Sequence, residues 1–225
     1  MILKKTTCLL ALLSICLGGY ADIVVTATYT DKEGTEQTAE KEIQDVSAPL
    51  RVHFTTNALD LYEGASLEWR IRHQSSGPRV TRYDQELDYT FTEAGINLVT
   101  LRVMQEGEAV DSTSFSVTIS ESCLEMPNAF SPNGDEYNNI YRPKQSTLKS
   151  IVEFHAYIFN RHGQKLYDWT DPTKGWDGTY RGNPVKDGVY FVYVKARGAD
   201  GIEYNIRRDV NLIRNFNIVT NSNNE

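Results

Sequence analysis

The chain has 225 residues, 40% of them hydrophobic, enough apolar side chain to pack one large or two small domains. Its 30 acidic residues outnumber 23 basic ones for a net charge of −7, which argues against binding nucleic acid through phosphate neutralisation. The 13 tyrosines, set among few candidate helical runs, favour β structure.

Residues 1–21 read as a secretory leader. Lys4 and Lys5 form its positive start, and Thr7–Gly18 is an apolar run too short to span a bilayer. Gly19-Tyr20-Ala21 sets small residues where a signal peptidase needs them, so cleavage is expected between Ala21 and Asp22. Removing two lysines leaves a mature net charge of −7 − 2 = −9. In a competing reading, Leu13-Ser14-Ile15-Cys16 is a lipobox and Cys16 is lipid-modified, but Ile15 is bulky for that role. Cys8 and Cys16 lie in the leader, so Cys123 has no intramolecular partner and reads as a small buried apolar residue of a linker.

Ile23–Tyr29 is a β-branched run that predicts a strand. Lys32-Glu33-Gly34 supplies a turn, and Thr38–Val46 returns as a second, polar strand. Two strands cannot bury a core alone, so this hairpin is expected to join the sheet that follows. From Ala48 to Ser120 apolar and polar residues alternate strictly. Leu50, Val52 and Phe54 form one apolar face, and so do Leu67, Trp69 and Ile71. Leu87, Tyr89 and Phe91, then Val99, Leu101 and Val103, then Phe115, Val117 and Ile119 repeat the pattern. One face in and one face out is the signature of antiparallel sheets packed as a sandwich. The order of these pieces, with Trp69, the Tyr89–Phe91 strand and the Glu93-Ala94-Gly95 turn, is similar to a PKD-type immunoglobulin-like domain. The glycine- and aspartate-rich loop that such domains carry after the tryptophan strand is replaced here by Arg72–Gly77. Ser120–Pro127 reads as a hinge, because Pro127 restricts Met126 to an extended conformation.

Beyond the hinge, short apolar runs are punctuated by turn residues. Asn133-Gly134, Asp177-Gly178 and Asp187-Gly188 are turn dipeptides, and Gly163 closes a loop over Asn160-Arg161-His162. Between them lie predicted strands at Ile151–Phe159, Lys165–Trp169, Gly188–Ala196 and Gly201–Arg214. The first and third are apolar on both faces, which assigns them to the middle of a seven-strand-like sandwich.

This region resembles the gliding motility-associated C-terminal domain of Bacteroidota, the type B sorting domain of the type IX secretion system. The resemblance rests on Pro127, Asn128, Phe130, Pro132, Asn133, Gly134 and Asp135, then on Asn160, Arg161 and Gly163. It continues through Trp176, Asp177 and Gly178, then Gly188 and Tyr190, and ends at Leu212, Ile213 and Arg214. His162 stands where the family has Trp, and Arg208-Asp209 where it has Lys-Gly. Asp135–Asn139 replaces its D-G and N-D pattern, and a polar tail, Asn215–Glu225, follows the final motif.

The reading is therefore an all-β chain of two tandem immunoglobulin-like antiparallel β-sandwiches after a cleaved signal peptide. Its parts are the leader at 1–21, a PKD-like domain with its N-terminal hairpin at 22–122, and the sorting domain at 123–225. The resemblance implies a non-enzymatic secreted or cell-surface protein, an adhesin or a surface-assembly subunit. Its expected partners are the type IX translocon and a PorP/SprF-type outer-membrane protein. The alternative is a periplasmic or lipid-anchored module that binds glycan or protein through the loops of the first sandwich.

Other chemistry is thinly represented. Asn133, Asp135, Asn138 and Asn139 could present oxygens to Ca²⁺, or cap turns by bonding nearby amides, and capping is the expected role. No other cofactor is expected. Trp169 and Trp176 could form a sugar platform, yet tryptophans at sandwich edges more often close the core. The four histidines, His53, His73, His155 and His162, show no zinc-ligand spacing. No nucleophile elbow or phosphate loop occurs, so no catalytic residue is assigned.

Overall fold

A computed structural model describes residues 22–74 and 80–214. The expected leader with Cys16 and Ala21, part of the loop after the tryptophan strand, and the tail from Asn215 lie outside the described residues. Asp22, on the far side of the expected cleavage point, is exposed.

The first half is built from β1 (Val25–Thr30), β2 (Glu36–Ala39), β3 (Glu42–Val46), β4 (Leu50–Thr56), α1 (Ala58–Leu61), β5 (Ser66–His73), β6 (Val80–Arg82), β7 (Leu87–Phe91), β8 (Gly95–Gln105) and β9 (Glu108–Ile119). One sheet has the order β2-β1-β4-β7 and the other β3-β9-β8-β5-β6. The period-two residues turn inward and meet at Phe54, whose ring lies 5.4 Å from Phe115 and 6.2 Å from Trp69. The Trp69 indole N–H donates to the Asp84 carbonyl at 3.0 Å, so its burial leaves no polar atom stranded.

Three differences from the alternation rule have local causes. The predicted strand Thr38–Val46 breaks at Glu40-Lys41: β2 stays with β1, whereas β3 crosses to the other sheet and pairs parallel with β9. Ile43 anchors the crossing as the one buried residue of β3, and Asp45 bulges in the left-handed region at φ 49°. The Glu68 carboxylate, outward by pattern, is buried because Arg70 (2.9 Å) and Arg102 (2.7 Å) close over it.

The second half contains β10 (Ala129–Phe130), β11 (Ile151–Phe159), β12 (Lys165–Trp169), β13 (Thr179–Tyr180), β14 (Asn183–Pro184), β15 (Gly188–Gly198) and β16 (Glu203–Leu212). The chain is thus all-β with immunoglobulin-like layers. The strands of this half divide unevenly: β10-β16-β15-β11-β12 form one sheet, and β13-β14 a small ribbon. The layer opposite the large sheet is mostly irregular chain that buries Leu124, Met126, Tyr141 and Trp176. β11 and β15 do sit centrally, but only one face of each is covered; Val189 and Phe191 on the outer face of β15 are 49% and 47% exposed. Parallel pairing occurs at two edges, β3–β9 and β10–β16, where the expected sheets were wholly antiparallel.

The two halves are pinned together. Ser150 is 2% exposed, and its Oγ accepts the Ala48 N–H at 3.1 Å and lies 3.1 Å from the Ser120 Oγ. The Ser150 carbonyl accepts the Ala199 N–H, and the Ala199 carbonyl accepts the Ala94 N–H. Ala199 itself packs into the first core. The stretch read as a hinge is tied on both sides. The Ser122 N–H donates to the Asp200 carboxylate at 2.7 Å, Cys123 exchanges two backbone hydrogen bonds with Lys149, and Leu124 and Met126 are buried in the second core. Cys123 is half-buried rather than buried, because its backbone forms a strand-like bridge at the surface.

Replacing Ser150 by Ala leaves the buried Ala48 N–H without an acceptor and should cost about 1–3 kcal/mol, read as a lower urea midpoint. An unchanged midpoint would show that the pin contributes nothing. Burial pushes the Asp200 carboxyl up, but the N–H groups of Ser122 and Ile202 pull it down further, below the usual carboxylate range. A depressed carboxyl stabilises the fold above its unfolded pKa and loses that contribution as pH falls through the lower, folded value. Asp200→Asn should therefore flatten the loss of stability below about pH 4, and thermal melts across that range check it.

Candidate recognition surface

The turn dipeptides and the last strand meet at one end of the second sandwich. β16 runs between β15, with Leu212 opposite Gly188, and β10, with Leu212 beside Phe130. The Ile213 N–H donates to the Phe130 carbonyl at 3.1 Å, and Asn211 bonds Asn128 in the same way at 2.9 Å. The chain then places the Arg214 side chain back over the loops. Its Nη1 donates to the Val185 carbonyl (2.6 Å) and to Asp187 Oδ1 (2.8 Å), and its Nη2 donates to the Gly178 carbonyl (3.0 Å). The Arg214 amide binds the second Asp187 oxygen at 2.8 Å. One planar guanidinium thereby joins the terminal strand, the Asp177-Gly178 turn and the Asp187-Gly188 turn.

Gly178 is needed at this junction. It sits at φ +79°, and a Cβ there would lie 3.0 Å from both Arg214 Nη2 and Pro132 Cγ and 3.1 Å from Leu212 Cδ1. Asp177 orders the same turn by accepting the Thr179 N–H (2.9 Å) and hydroxyl (2.8 Å). Beneath it Trp176 is fully buried, donates its indole N–H to the Thr179 carbonyl at 2.7 Å, and packs on Phe130 (5.3 Å) and edge-on to Tyr190 (5.1 Å). Burial raises the Tyr190 phenol, whose hydroxyl donates to the Lys186 carbonyl at 2.6 Å. Trp169 is also buried, against Phe154 and Tyr167, so both tryptophans belong to the core and neither forms a surface platform.

Asn160, Arg161 and Gly163 lie outside the Arg214 clasp. The Asn160 carboxamide oxygen accepts the N–H groups of His162 (2.9 Å) and Gln164 (3.0 Å), and Gly163 closes the loop at φ 78°. The Gln164 amide reaches the Tyr180 hydroxyl at 3.1 Å. A groove of about 420 Å³ runs between this loop and the Asp187 turn, lined by Asn160, Arg161, Tyr180, Asp187, Gly188 and Tyr190. The Pro132–Asn139 loop flanks the clasp through Pro132. Its oxygens are engaged locally: Asn133 Oδ1 accepts the Asp135 N–H, Asp135 Oδ1 the Tyr137 N–H, and Asn139 Oδ1 the Gly134 N–H. The Tyr137 N–H and the Asn133 amide hold the Asp135 carboxyl below its usual range. Asn138 contributes its carbonyl, to the Ser131 N–H, rather than its side chain. Among the described residues no cluster of three or more His, Cys, Asp or Glu is placed to hold a metal.

Tyr141, Gly175 and Asp187 carry more of this surface than sequence reasoning assigned. Tyr141 is fully buried, exchanges two backbone hydrogen bonds with Trp176, and donates its hydroxyl to the Pro127 carbonyl at 3.0 Å; burial raises its phenol well above the usual tyrosine range. A Cβ at Gly175 would stand 2.3 Å from the Tyr141 carbonyl oxygen, so only glycine fits beneath that bridge. The signal available was the aromatic at Tyr141 between two turn-rich stretches, which alternation does not interpret.

Residues 124–206 match the CHU_C Type IX secretion signal domain family. The second sandwich therefore carries a type IX secretion signal, which directs export to the cell surface or beyond. The match includes the motif residues from Pro127 to Tyr190 and ends before Leu212, Ile213 and Arg214. No curated protein matches the chain. Solved structures similar to it include the FN1-FN3 domains of chicken CNTN1, at 9% identity and a TM-score of 0.33 over 80% of this chain and 72% of that one. Another is the Bacteroides ovatus mixed-linkage glucan utilization locus protein SGBP-B, crystallised with a mixed-linkage heptasaccharide. It shows 18% identity and a TM-score of 0.26, over 76% of this chain and 42% of that one. A third is a tetra-tandem repeat from the extending region of a large adhesion protein, at 12% identity and a TM-score of 0.27, over 85% and 67%.

Arg214→Met removes three charge-assisted hydrogen bonds and leaves Asp187 without its guanidinium. A loss of about 2–4 kcal/mol is expected in urea unfolding, and Arg214→Lys should recover only part of it. Gly178→Ala should cost about 1–3 kcal/mol through its positive φ and its close neighbours. Full stability in either variant would contradict the clasp.

Proposed function

We propose that the chain is a non-enzymatic surface or secreted protein whose sorting signal is a folded surface rather than a linear tail. That surface is the end of the second sandwich where the Arg214 clasp holds the turns beside the Asn160–Gly163 loop. The observation that carries this reading is the convergence of motif residues far apart in sequence on one guanidinium and one groove. In this reading the type IX translocon recognises the groove and its rim, and a PorP/SprF-type outer-membrane protein is the partner at the cell surface. The first sandwich, taken as PKD-like, is the passenger that faces the environment as an adhesin or as a subunit of a surface assembly.

Fractionation of the native host, with an antibody against the first sandwich, tests it. Surface exposure should disappear when the translocon is disabled, and periplasmic residence regardless of the translocon would instead support a periplasmic binding module. Arg161 is exposed and makes no bond to the clasp, so Arg161→Glu should lower surface exposure several-fold without moving the unfolding midpoint. Normal export of that folded variant would remove the groove rim from the epitope.

A further inference from the structure

The outward face of the large sheet is not accounted for by sorting or by folding. A solvated sheet face is ordinarily polar, yet here the outward positions of β11 and β15 carry Tyr157, Phe159, Phe191 and Tyr193. Register sets Tyr157 opposite Tyr193 and Phe159 opposite Phe191. The Tyr157 ring lies 6.1 Å from Tyr193 and 6.4 Å from Phe159, with interplanar angles of 21° and 28°, and His155 stacks on Tyr157 at 4.2 Å. The result is an aromatic ladder of half-buried rings, with Phe191 beside it 47% exposed.

Three cations converge on it, and Lys165 Nζ, 5.8 Å from the Tyr157 ring centroid, is also paired with Asp168. Lys195 Nζ stands 5.6 Å from the Tyr193 ring centroid and the Arg207 guanidinium 4.9 Å from it. Of the carboxylates on this face, Asp168 is paired with Lys165 (3.1 Å) and His155 (3.3 Å) and Glu153 with Arg197, while Glu203 and Asp209 stand opposite Arg197 and Phe191. Slight burial pushes the Tyr193 phenol up, but Arg207 and Lys195 outweigh it and hold the group below the usual tyrosine range, the mark of a spot that favours negative charge. Beside Lys195 the face dips into a shallow groove of about 390 Å³ lined by Glu153, His155, Arg197, Glu203 and Asn205.

We propose that this face binds an acidic polysaccharide, with a sugar carboxylate accepted by Lys195 and Arg207 and neighbouring rings lying against the aromatic ladder. The groove offers what sugar hydroxyls require, acceptors at Glu203 and Asn205 and donors at Arg197 and Asn205. Successive outward residues are about 6.6 Å apart along a strand and about 4.8 Å across strands, a flat grid suited to an extended polymer. An anionic bilayer fits less well, because a flat headgroup layer would press on the whole face, Glu203 and Asp209 included, whereas an extended polymer can follow the line of Tyr193, Lys195 and Arg207.

A chain of residues 22–225 is titrated calorimetrically with polygalacturonate oligomers, with neutral β-glucan oligomers of equal length, and with phosphatidylglycerol–phosphatidylcholine vesicles. Polygalacturonate should bind, weakening as salt rises. Both Lys195→Gln combined with Arg207→Gln, and Tyr193→Ala, should lose about tenfold or more in affinity, and neutral glucan should bind about tenfold more weakly. The replaced cations are on the surface, so the double variant should keep its unfolding midpoint. No heat with polygalacturonate, undiminished binding by the double variant, or equal binding of the vesicles would each overturn the proposal. Export is not read in this assay, so its failure leaves the sorting reading intact.

Discussion

The Arg214 guanidinium is the constraint on which the second sandwich depends. A strand near a chain end is apt to fray unless it is tied down. Here β16 is paired on both sides, and Arg214, two residues past its end, donates to two carbonyls and a carboxylate on loops that are otherwise irregular. Carbonyls that face a cation rather than water keep one loop geometry, because a planar guanidinium donates to them in only one arrangement. The turns order the strand's end and the strand's end orders the turns. That reciprocity makes a surface assembled from distant motifs a single object.

The second constraint lies between the sandwiches. Ser150 and Ala199 exchange hydrogen bonds with Ala48, Ser120 and Ala94, and Asp200 holds Ser122. The linker is short, bonded on both sides and partly buried. The two halves are therefore joined by several bonds, and the stretch between them presents little extended chain to a protease. The aromatic face of the large sheet remains open on this assembly, whereas the inner face of the same strands closes the core with Val192, Val194 and Ile158.

Much of this was legible in the sequence where physics is local. Period-two alternation placed Leu67, Trp69 and Ile71 or Phe115, Val117 and Ile119 inward, since a strand can point a side chain only two ways. Gly163 and Gly178 announced their turns because only glycine adopts positive φ freely. What alternation cannot express is the choice of partner. It read Thr38–Val46 as one strand, although Ile43 finds its pocket on the other sheet. It took the double-sided apolar pattern of β15 as double burial, although Phe191 faces outward. It set Glu68 in water, although two arginines from β5 and β8 enclose it. Arg214 stood in a recognised motif, but its acceptors at 178, 185 and 187 are adjacent only after the sheet has formed.

Amide hydrogen exchange in the intact chain tests the central claim most directly. The N–H groups of Ile213, Arg214 and Val185, all bonded within the clasp, should exchange slowly and with a common opening free energy close to that of Val194 in the core. If Ile213 and Arg214 exchange at the rate of a fraying end while Val194 stays protected, the terminal strand is not held, and the surface described here is not one object.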